Sequence, residues 1–307
     1  MICRFPEPGH GRNGGSGLYT PWPQGSEQNA PAADIHTIFS VDGSLYQRWQ
    51  ADLLSYSHRK VGQPGPLTRL LSANGQPTPF VGRTFRTEPY CTHPLSGDYY
   101  PPYNKPKALE SWLRESPPAE EVVLLLDPDC VFLEPLAGLA TRGHPIANPP
   151  AFMHPEHNME FVKKHCLRPE LVQGVGVPLL IHRDDLADVA PRWFKRTEEI
   201  RADPISRALV GWTAEMWGYA FAAAEMGLRH TTHELARVSL DDRADLPIVH
   251  YAYSCSDGEK RWTWNKMDYK PWEQVPDPPH EVPLAARTMI GLLNEWVAMQ
   301  EQQICLP

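Results

Sequence analysis

Two aspartates separated by a single residue follow a short, entirely apolar run. Asp127-Pro128-Asp129 comes directly after Val122–Leu126, five consecutive apolar residues. Such a run is typical of a parallel strand covered on both faces, and open α/β sheets bind ligands at the carboxyl ends of these strands. Because carboxylate oxygens are hard ligands, the pair suits one Mn²⁺ or Mg²⁺ ion, which can also bridge phosphates. The competing interpretation is a solvated Asp-Pro-Asp turn after an edge strand.

Two enzyme classes carry a D-x-D pair after an apolar strand. Haloacid-dehalogenase-type phosphatases use the first aspartate, here Asp127, as a nucleophile. Nucleotide-sugar glycosyltransferases of the GT-A fold use both carboxylates to hold a metal on the diphosphate. The strand normally opens the phosphatase fold, whereas two strands and two helices are predicted before the apolar strand here, which favours the transferase. A non-catalytic relative that binds peptide or glycan is a third alternative.

The elements around the aspartates alternate between strand and helix patterns, which indicates an α/β sheet with right-handed crossovers. Residues 73–106 are polar and Pro-rich, and we expect them to be irregular. We therefore predict an α/β sheet flanked by helices, in one domain with two lobes. The predicted strands are residues 35–41, 67–71, 122–126, 177–181 and 246–251, and the predicted helices are residues 45–56, 107–115, 184–190, 213–226 and 284–300.

Composition excludes several function classes. The 307 residues carry a net charge of −8, which argues against nucleic-acid or anionic-membrane binding. No apolar stretch approaches the roughly 18 residues of a membrane helix, and no signal peptide is evident, so we expect no membrane anchor in this chain. The six cysteines are scattered without a C-x-x-C pair, so we expect mostly free thiols. Residues 1–33 are rich in Gly and Pro and are predicted to form a flexible tail before a catalytic domain over residues 34–307.

Six sequence blocks, in matching order from about Ile35 to the C-terminal helix, resemble a known family. Four blocks resemble the opening of plant and algal peptidyl serine α-galactosyltransferases, and the last two are closer to the related hydroxyproline O-arabinosyltransferases. The blocks are residues 36–41 (HTIFSV), 46–50 (YQRWQ), 62–71 (GQPGPLTRLL), 103–106 (YNKP), 211–219 (GWTAEMWGY) and 248–255 (IVHYAYSC).

The resemblance implies a GT-A fold, which is a Rossmann-like mixed sheet flanked by helices in a single catalytic domain with two lobes. The nucleotide-sugar half would cover residues 34–136, and the acceptor half with the C-terminal helix would cover residues 137–307. It implies a retaining transfer of arabinofuranose or galactose from a UDP-sugar, with Mn²⁺ or Mg²⁺, to hydroxyproline or serine in a proline-rich protein. The plant enzymes are anchored in the secretory pathway. We therefore expect the Golgi or ER lumen if this chain is a trimmed form of such an enzyme, and the cytoplasm otherwise.

Several residues are candidates for the donor and metal sites. His250 is predicted to join Asp127 and Asp129 as a third metal ligand, although a lone histidine is more often structural. Arg69 and Lys105 are predicted to neutralise the diphosphate, with surface salt bridges as the alternative. By fold analogy, the backbone near the end of the first strand would contact the uracil; the residues assigned to this donor site are Thr37, Phe39, Ser40 and Val41. Lys266 and Lys270 are weaker candidates for contacting the leaving phosphate.

Glu215 lies on an otherwise apolar and aromatic helix, where a carboxylate is costly unless it is paired or functional. With Asp129 it is our catalytic candidate, and it either faces the anomeric carbon or orients the acceptor hydroxyl. The alternative is a buried pair with Arg or Lys. Asp184-Asp185 is predicted to act as helix cap and first-turn charge, not as a second metal site. Aromatic residues that could stack on a sugar or a proline-rich peptide, or could equally be core, are Trp212, Trp217, Tyr219, Trp262 and Trp264.

Overall fold

The computed structural model describes residues 35–137, 140–150, 152–237 and 246–304, with side chains up to residue 300. The predicted tail at residues 1–33 lies outside these ranges. The helices are α1 (Leu45–Lys60), α2 (Asn104–Glu115), α3 (Met159–His165), α4 (Arg183–Ala202), α5 (Pro204–Val210), α6 (Ala214–Met226) and α7 (Leu284–Ile304). The strands are β1 (Ile35–Asp42), β2 (Leu67–Ser72), β3 (Arg83–Thr87), β4 (Val122–Leu126), β5 (Cys130–Phe132), β6 (Ile146–Asn148), β7 (Gly176–His182), β8 (Thr231–Thr232), β9 (Ala236–Arg237), β10 (Ile248–His250), β11 (Cys255–Ser256) and β12 (Thr263–Trp264).

A seven-stranded mixed sheet forms the centre of the molecule, in the order β3-β2-β1-β4-β7-β6-β8. Strands β3, β2, β1 and β4 run parallel, and β7 runs antiparallel to both β4 and β6. This arrangement confirms the predicted mixed α/β sheet. Since β4 pairs with β7, the sheet crosses the predicted division between the halves at residue 136.

Helices cover both faces of the sheet, which explains why β2 and β4 are buried at every position. On one face, side chains of β1, β2 and β4 pack against α2, α4 and α6. On the other face, the same strands pack against α1 and β5. Helix α7 joins α1 in a separate cluster around the fully buried Trp49. Burial of each large apolar side chain contributes about 1.5–3 kcal/mol, so these layers hold the strand ends in place.

The prediction that residues 73–106 are irregular is wrong for Arg83–Thr87. This segment forms β3, which pairs with β2 so that Phe85 lies beside Leu70. Its arginines are exposed, as is common on an edge strand, and the polar composition hid the strand pattern. Helix α2 also begins at Asn104, three residues earlier than predicted, because Pro106 lies in its first turn, where proline is tolerated.

Helix α4 begins differently from the prediction. The capping group is His182, whose Nδ1 accepts a hydrogen bond from the amide of Asp184 at 3.2 Å. Asp184 and Asp185 lie in the first turn, as predicted, but neither caps the helix. The Asp185 carboxylate instead accepts a hydrogen bond from the amide of Gly143 at 2.6 Å.

The described ranges also show the state of the cysteines and the character of the helices. The cysteines described there are free thiols, namely Cys91, Cys130, Cys166 and Cys255. None of the helices in these ranges is both long enough and apolar enough to cross a bilayer.

Candidate active site

The two aspartates lie in the short connection between β4 and β5, at the carboxyl end of the central sheet. Strand β5 pairs antiparallel with β10, and this pairing sets His250 opposite Cys130. The amide of Tyr251 donates to the Asp129 carbonyl at 3.0 Å and fixes the turn. As a result, His250 Nε2 lies 3.2 Å from Asp129 Oδ1 and 3.9 Å from Asp127 Oδ2.

Two lysines with little exposed surface neutralise the aspartates. Lys105, in the first turn of α2, places its Nζ 2.7 Å from Asp127 Oδ1 and 3.6 Å from Glu215 Oε2. Lys266, which follows β12, donates to the Asp129 carboxylate and is 7% exposed. Because an unpaired buried charge costs several kcal/mol, each ammonium depends on its carboxylate partner.

In this cluster, the pKa values are shifted more by ion pairing than by burial. Burial raises the pKa of Asp129, but Lys266 and His250 hold it well below its usual range. Burial lowers the pKa of Lys105, yet Asp127 holds it above its ordinary value. Burial also opposes the charge on His250, whose pKa is nevertheless raised because Asp129 lies beside it. Asp129 is therefore ionised, with the Lys266 ammonium and the His250 imidazole next to its carboxylate.

Glu215 lies in the first turn of α6 and is 3% exposed. Its amide donates to the Tyr100 hydroxyl at 2.9 Å, and its carbonyl accepts a hydrogen bond from Trp193 Nε1 at 2.8 Å. Burial raises the pKa of the Glu215 carboxyl to about 7, although the nearby Lys105 lowers it. A carboxyl with this pKa exchanges its proton near neutral pH, which is typical of groups that take part in catalysis.

A cleft opens beside this cluster. Its floor is polar, with Lys105, Asp127, Glu215 and His250, and its walls are mostly apolar. Met216 and Tyr219 of α6 line the cleft together with proline and aliphatic side chains. The remaining lining residues are Leu125, Asn148, Pro149, Pro150, Phe152, Val175, Gly176, Val177, Leu179 and Trp193.

The donor atoms at the floor of the cleft fit a divalent cation. One carboxylate oxygen from each aspartate and one imidazole nitrogen from His250 all lie within 4.8 Å of one another. This oxygen-rich set with one nitrogen suits Mn²⁺ or Mg²⁺. The structure thus brings together all three predicted metal ligands, together with Lys105 and Glu215.

The sequence patterns did not indicate Tyr46 as a site residue, and they indicated Lys266 only weakly. Tyr46 of α1 is partly buried, which raises its pKa, and Lys266 and Asp129 are close enough to act on it electrostatically. It belongs to the block at residues 46–50, which was the available signal. Lys266 was only a weak candidate, whereas Lys270 is largely exposed and lies 3.8 Å from Glu273, on the surface.

The other predicted donor residues are buried in the sheet. The side chains of Thr37, Phe39, Ser40 and Val41 are at most 9% exposed, so only their backbone or the end of β1 can contact a ligand. Arg69 is 2% exposed, and its guanidinium donates to the Thr78 carbonyl at 2.9 Å and lies over the Phe80 ring. The alternative of surface salt bridges is wrong for Arg69, because its guanidinium packs inside the protein.

The aromatic candidates differ in how much of each side chain is exposed. Trp217 is 3% exposed and packs edge-on against Phe161, within the core. Trp264 is also buried, and the Trp262 indole donates to the Pro276 carbonyl, within the cluster around α7. Trp212 is 40% exposed, and its carbonyl accepts a hydrogen bond from the Tyr100 hydroxyl at 2.5 Å.

Tyr219 lines the cleft, and its hydroxyl lies 2.8 Å from His230 Nε2. Burial lowers the pKa of His230 to about 4, so the imidazole is neutral. Since His230 Nδ1 faces the Gln173 side-chain oxygen at 3.4 Å, Nε2 is the accepting nitrogen. The Tyr219 hydroxyl therefore donates to His230 and keeps its own oxygen available as an acceptor.

Comparison with known proteins identifies the family. Residues 35–232 match the hydroxyproline O-arabinosyltransferase family N-terminal domain. The chain belongs to this family. It is 35% identical over 266 residues to a peptidyl serine α-galactosyltransferase of Arabidopsis thaliana, covering 80% of this chain and 33% of that protein. It is 28% identical over 292 residues to a hydroxyproline O-arabinosyltransferase of Medicago truncatula, covering 86% of this chain and 80% of that protein.

The chain thus spans only about a third of its galactosyltransferase relative, but most of the arabinosyltransferase. Among solved structures, an active-site mutant of LgtC is similar with a TM-score of 0.50 at 12% identity, covering 85% of this chain and 96% of that chain. This likeness confirms the predicted GT-A fold of the chain.

Proposed function

We propose that this member of the family is a metal-dependent retaining glycosyltransferase. It moves a sugar from a UDP-sugar to the hydroxyl of hydroxyproline or serine in a proline-rich protein. The observation that carries the proposal is the convergence of Asp127, Asp129 and His250 with Lys105 and Glu215 at one end of the cleft. Relatives named for transfer to hydroxyproline or peptidyl serine support the acceptor class.

The donor diphosphate would lie on the cation held by the two aspartates and His250. When bound, this cation stabilises the negative charge that develops as UDP leaves. Lys105 and Lys266 each donate to one of the aspartates, so their ammonium groups are close enough to assist with the same charge. Tyr46 borders the same region, and the end of β1 would contact the uracil through its backbone.

Glu215 is the group we assign to the reacting sugar. Its carboxylate is 3.6 Å from Lys105 Nζ, which in turn contacts Asp127, so it adjoins the metal ligands without joining them. From this position it either faces the anomeric carbon or orients the attacking hydroxyl. Retention follows if the acceptor attacks from the side of the leaving group, or after a transient adduct with the enzyme.

The acceptor would occupy the apolar part of the cleft. Pro149, Pro150 and Phe152 line a wall with little polar surface, which is suited to the ring of a hydroxyproline residue. Tyr219 offers a hydroxyl oxygen there, and Trp212 is an exposed aromatic next to Tyr100. We accordingly assign donor binding mainly to residues 34–136 and acceptor binding mainly to residues 137–307. Buried Trp217 and Trp264 are left out of this assignment, and so is Trp262, whose indole bonds within the cluster around α7.

A donor and acceptor screen tests the proposed reaction. We expect sugar transfer, in the presence of Mn²⁺, from UDP-arabinofuranose or UDP-galactose to a short peptide that contains hydroxyproline and serine. Mass spectrometry of the peptide distinguishes a pentose from a hexose and locates the modified residue. The same peptide with proline and alanine at the acceptor positions is the control. Release of inorganic phosphate from generic phosphoesters, with no glycosylated peptide, would instead support a phosphatase that uses Asp127.

A further inference from the structure

A second cluster of side chains that could hold a metal ion lies on the surface, shortly after Phe152 in the sequence. His154, Glu156 and His157 belong to a single turn of 3₁₀ helix over Pro155–Asn158, with His154 as the residue before it. His154 has an extended backbone conformation just before the turn, and its imidazole lies beside that of His157. Their ring centroids are 5.2 Å apart, with 38° between the ring planes.

The turn that carries these side chains is well fixed. The His157 amide donates to the His154 carbonyl at 3.1 Å, and the Asn158 side chain donates to the same carbonyl at 3.0 Å. Pro155 occupies the first helical position, where its fixed φ angle favours the turn. The backbone therefore holds the three side chains near one another before any ligand binds.

The spacing of the ligand atoms suits a small tetrahedral ion. His154 Nδ1 lies 3.4 Å from Glu156 Oε1, and one ligand atom from each of the three residues lies within 4.8 Å of the others. Two ligand atoms that are about 2.0–2.1 Å from a tetrahedral Zn²⁺ ion are separated by roughly 3.3–3.4 Å. His154 Nδ1 and Glu156 Oε1 already have this separation. Rotation of the exposed His157 side chain would bring in the third ligand.

We propose that His154, Glu156 and His157 form a Zn²⁺ site that is separate from the Asp127–Asp129–His250 cluster. Two imidazoles and one carboxylate are borderline ligands that favour Zn²⁺ over Mn²⁺ or Mg²⁺, whereas the cleft offers mainly carboxylate oxygens. All three residues are exposed, so water can complete the coordination. Phe152, two residues before His154, lines the cleft, so the bound ion stabilises the turn next to this wall.

Zinc titration with a chromophoric competitor tests the proposal, without UDP-sugar or acceptor. We use Asp129→Asn as the background to weaken binding at the cleft, and we expect one Zn²⁺ equivalent to remain. Adding His157→Ala should weaken this binding at least about tenfold, since loss of even an outer-shell partner costs 10–100-fold. The matched control is His280→Ala, because His280 Nδ1 lies 3.3 Å from Glu281 Oε2 in an exposed pair with one imidazole.

Hydrogen exchange locates the ion independently of affinity. Zn²⁺ should slow exchange of the His157 amide in the Asp129→Asn protein, and His154→Ala should abolish this effect. Equal zinc affinity with and without His157→Ala, or an equal loss with His280→Ala, would overturn the proposal. Because neither measurement involves sugar transfer, a failed zinc site leaves the proposed glycosyltransferase function untouched.

Discussion

In protein that remains folded, Asp129→Asn should lower kcat for sugar transfer by at least about 10³-fold. Removal of a single group that stabilises transition-state charge already costs about 10²–10³ in kcat, and Asp129 is assigned to hold the cation itself. The substitution also removes the negative charge that Lys266 and His250 share. Initial rates with saturating UDP-sugar and Mn²⁺ measure the effect, and circular dichroism checks the fold.

The matched control is Asp184→Asn, which makes the same change at a half-exposed aspartate in the first turn of α4. It should leave kcat unchanged. If Asp129→Asn does not fold, His250→Ala removes a second proposed ligand and should also lower kcat strongly. Full activity in a folded Asp129→Asn protein would exclude the proposed metal site.

Glu215→Gln should lower kcat by about 10²–10⁴-fold, the range that a positioned acid or base contributes. The amide keeps the size of the side chain but cannot carry the charge that the carboxylate brings to the reacting sugar. The backbone contacts of Glu215 to Tyr100 and Trp193 are retained, so the helix terminus should keep its position. Since the metal ligands are unchanged, Mn²⁺-dependent UDP binding should stay within about threefold of wild type.

The pH dependence follows from the raised pKa of Glu215. If the ionised carboxylate is the active form, kcat/KM should rise about tenfold per pH unit up to about 7 and then level off. The free energy of unfolding should instead fall as pH rises, because burial makes the folded state bind the Glu215 proton more tightly than the unfolded chain does. This stabilising contribution is complete below pH 4.5 and is lost as pH rises to about 7, on the order of 3 kcal/mol in total.

In Glu215→Gln, the rise of kcat/KM up to about pH 7 and the loss of stability over the same pH range should both be absent. The control is Glu225→Gln on the same helix, whose carboxylate lies 2.7 Å from Arg196 and also accepts the Leu167 amide. It should reduce stability but not kcat. A Glu215→Gln enzyme with the wild-type kcat and the wild-type pH profile would rule out a role for this carboxyl in the reaction.

Local sequence patterns were sufficient for the five longest helices and for four strands of the central sheet. The apolar run at Val122–Leu126 and the β-rich run from Ile35 both form central strands, because strands covered on both faces require continuous apolar sequence. The amphipathic stripe of α7 likewise predicted a helix on the body of the protein. Strand β3 was missed, since an exposed edge strand needs no apolar run and its charges resemble a loop.

The contacts within the site depended on long-range pairing. Lys266 donates to Asp129 across 137 positions of sequence, and no local pattern encodes that contact. Antiparallel pairing of β10 with β5 brings His250 to the aspartates, so its position became clear only in three dimensions. Trp212 and Trp217 look equivalent in sequence, but Trp212 lies in the turn before α6 and is exposed, whereas Trp217 lies on α6 and packs in the core.

Calorimetric titration of the protein with UDP, with and without Mn²⁺, is the most direct test of the central claim. We expect UDP to bind with Mn²⁺ and to bind at least about tenfold more weakly in EDTA, because the cation links the diphosphate to Asp127 and Asp129. Asp129→Asn should bind equally weakly under both conditions. Absence of UDP binding with and without Mn²⁺ would contradict the account and favour a phosphatase or a non-catalytic peptide- or glycan-binding protein.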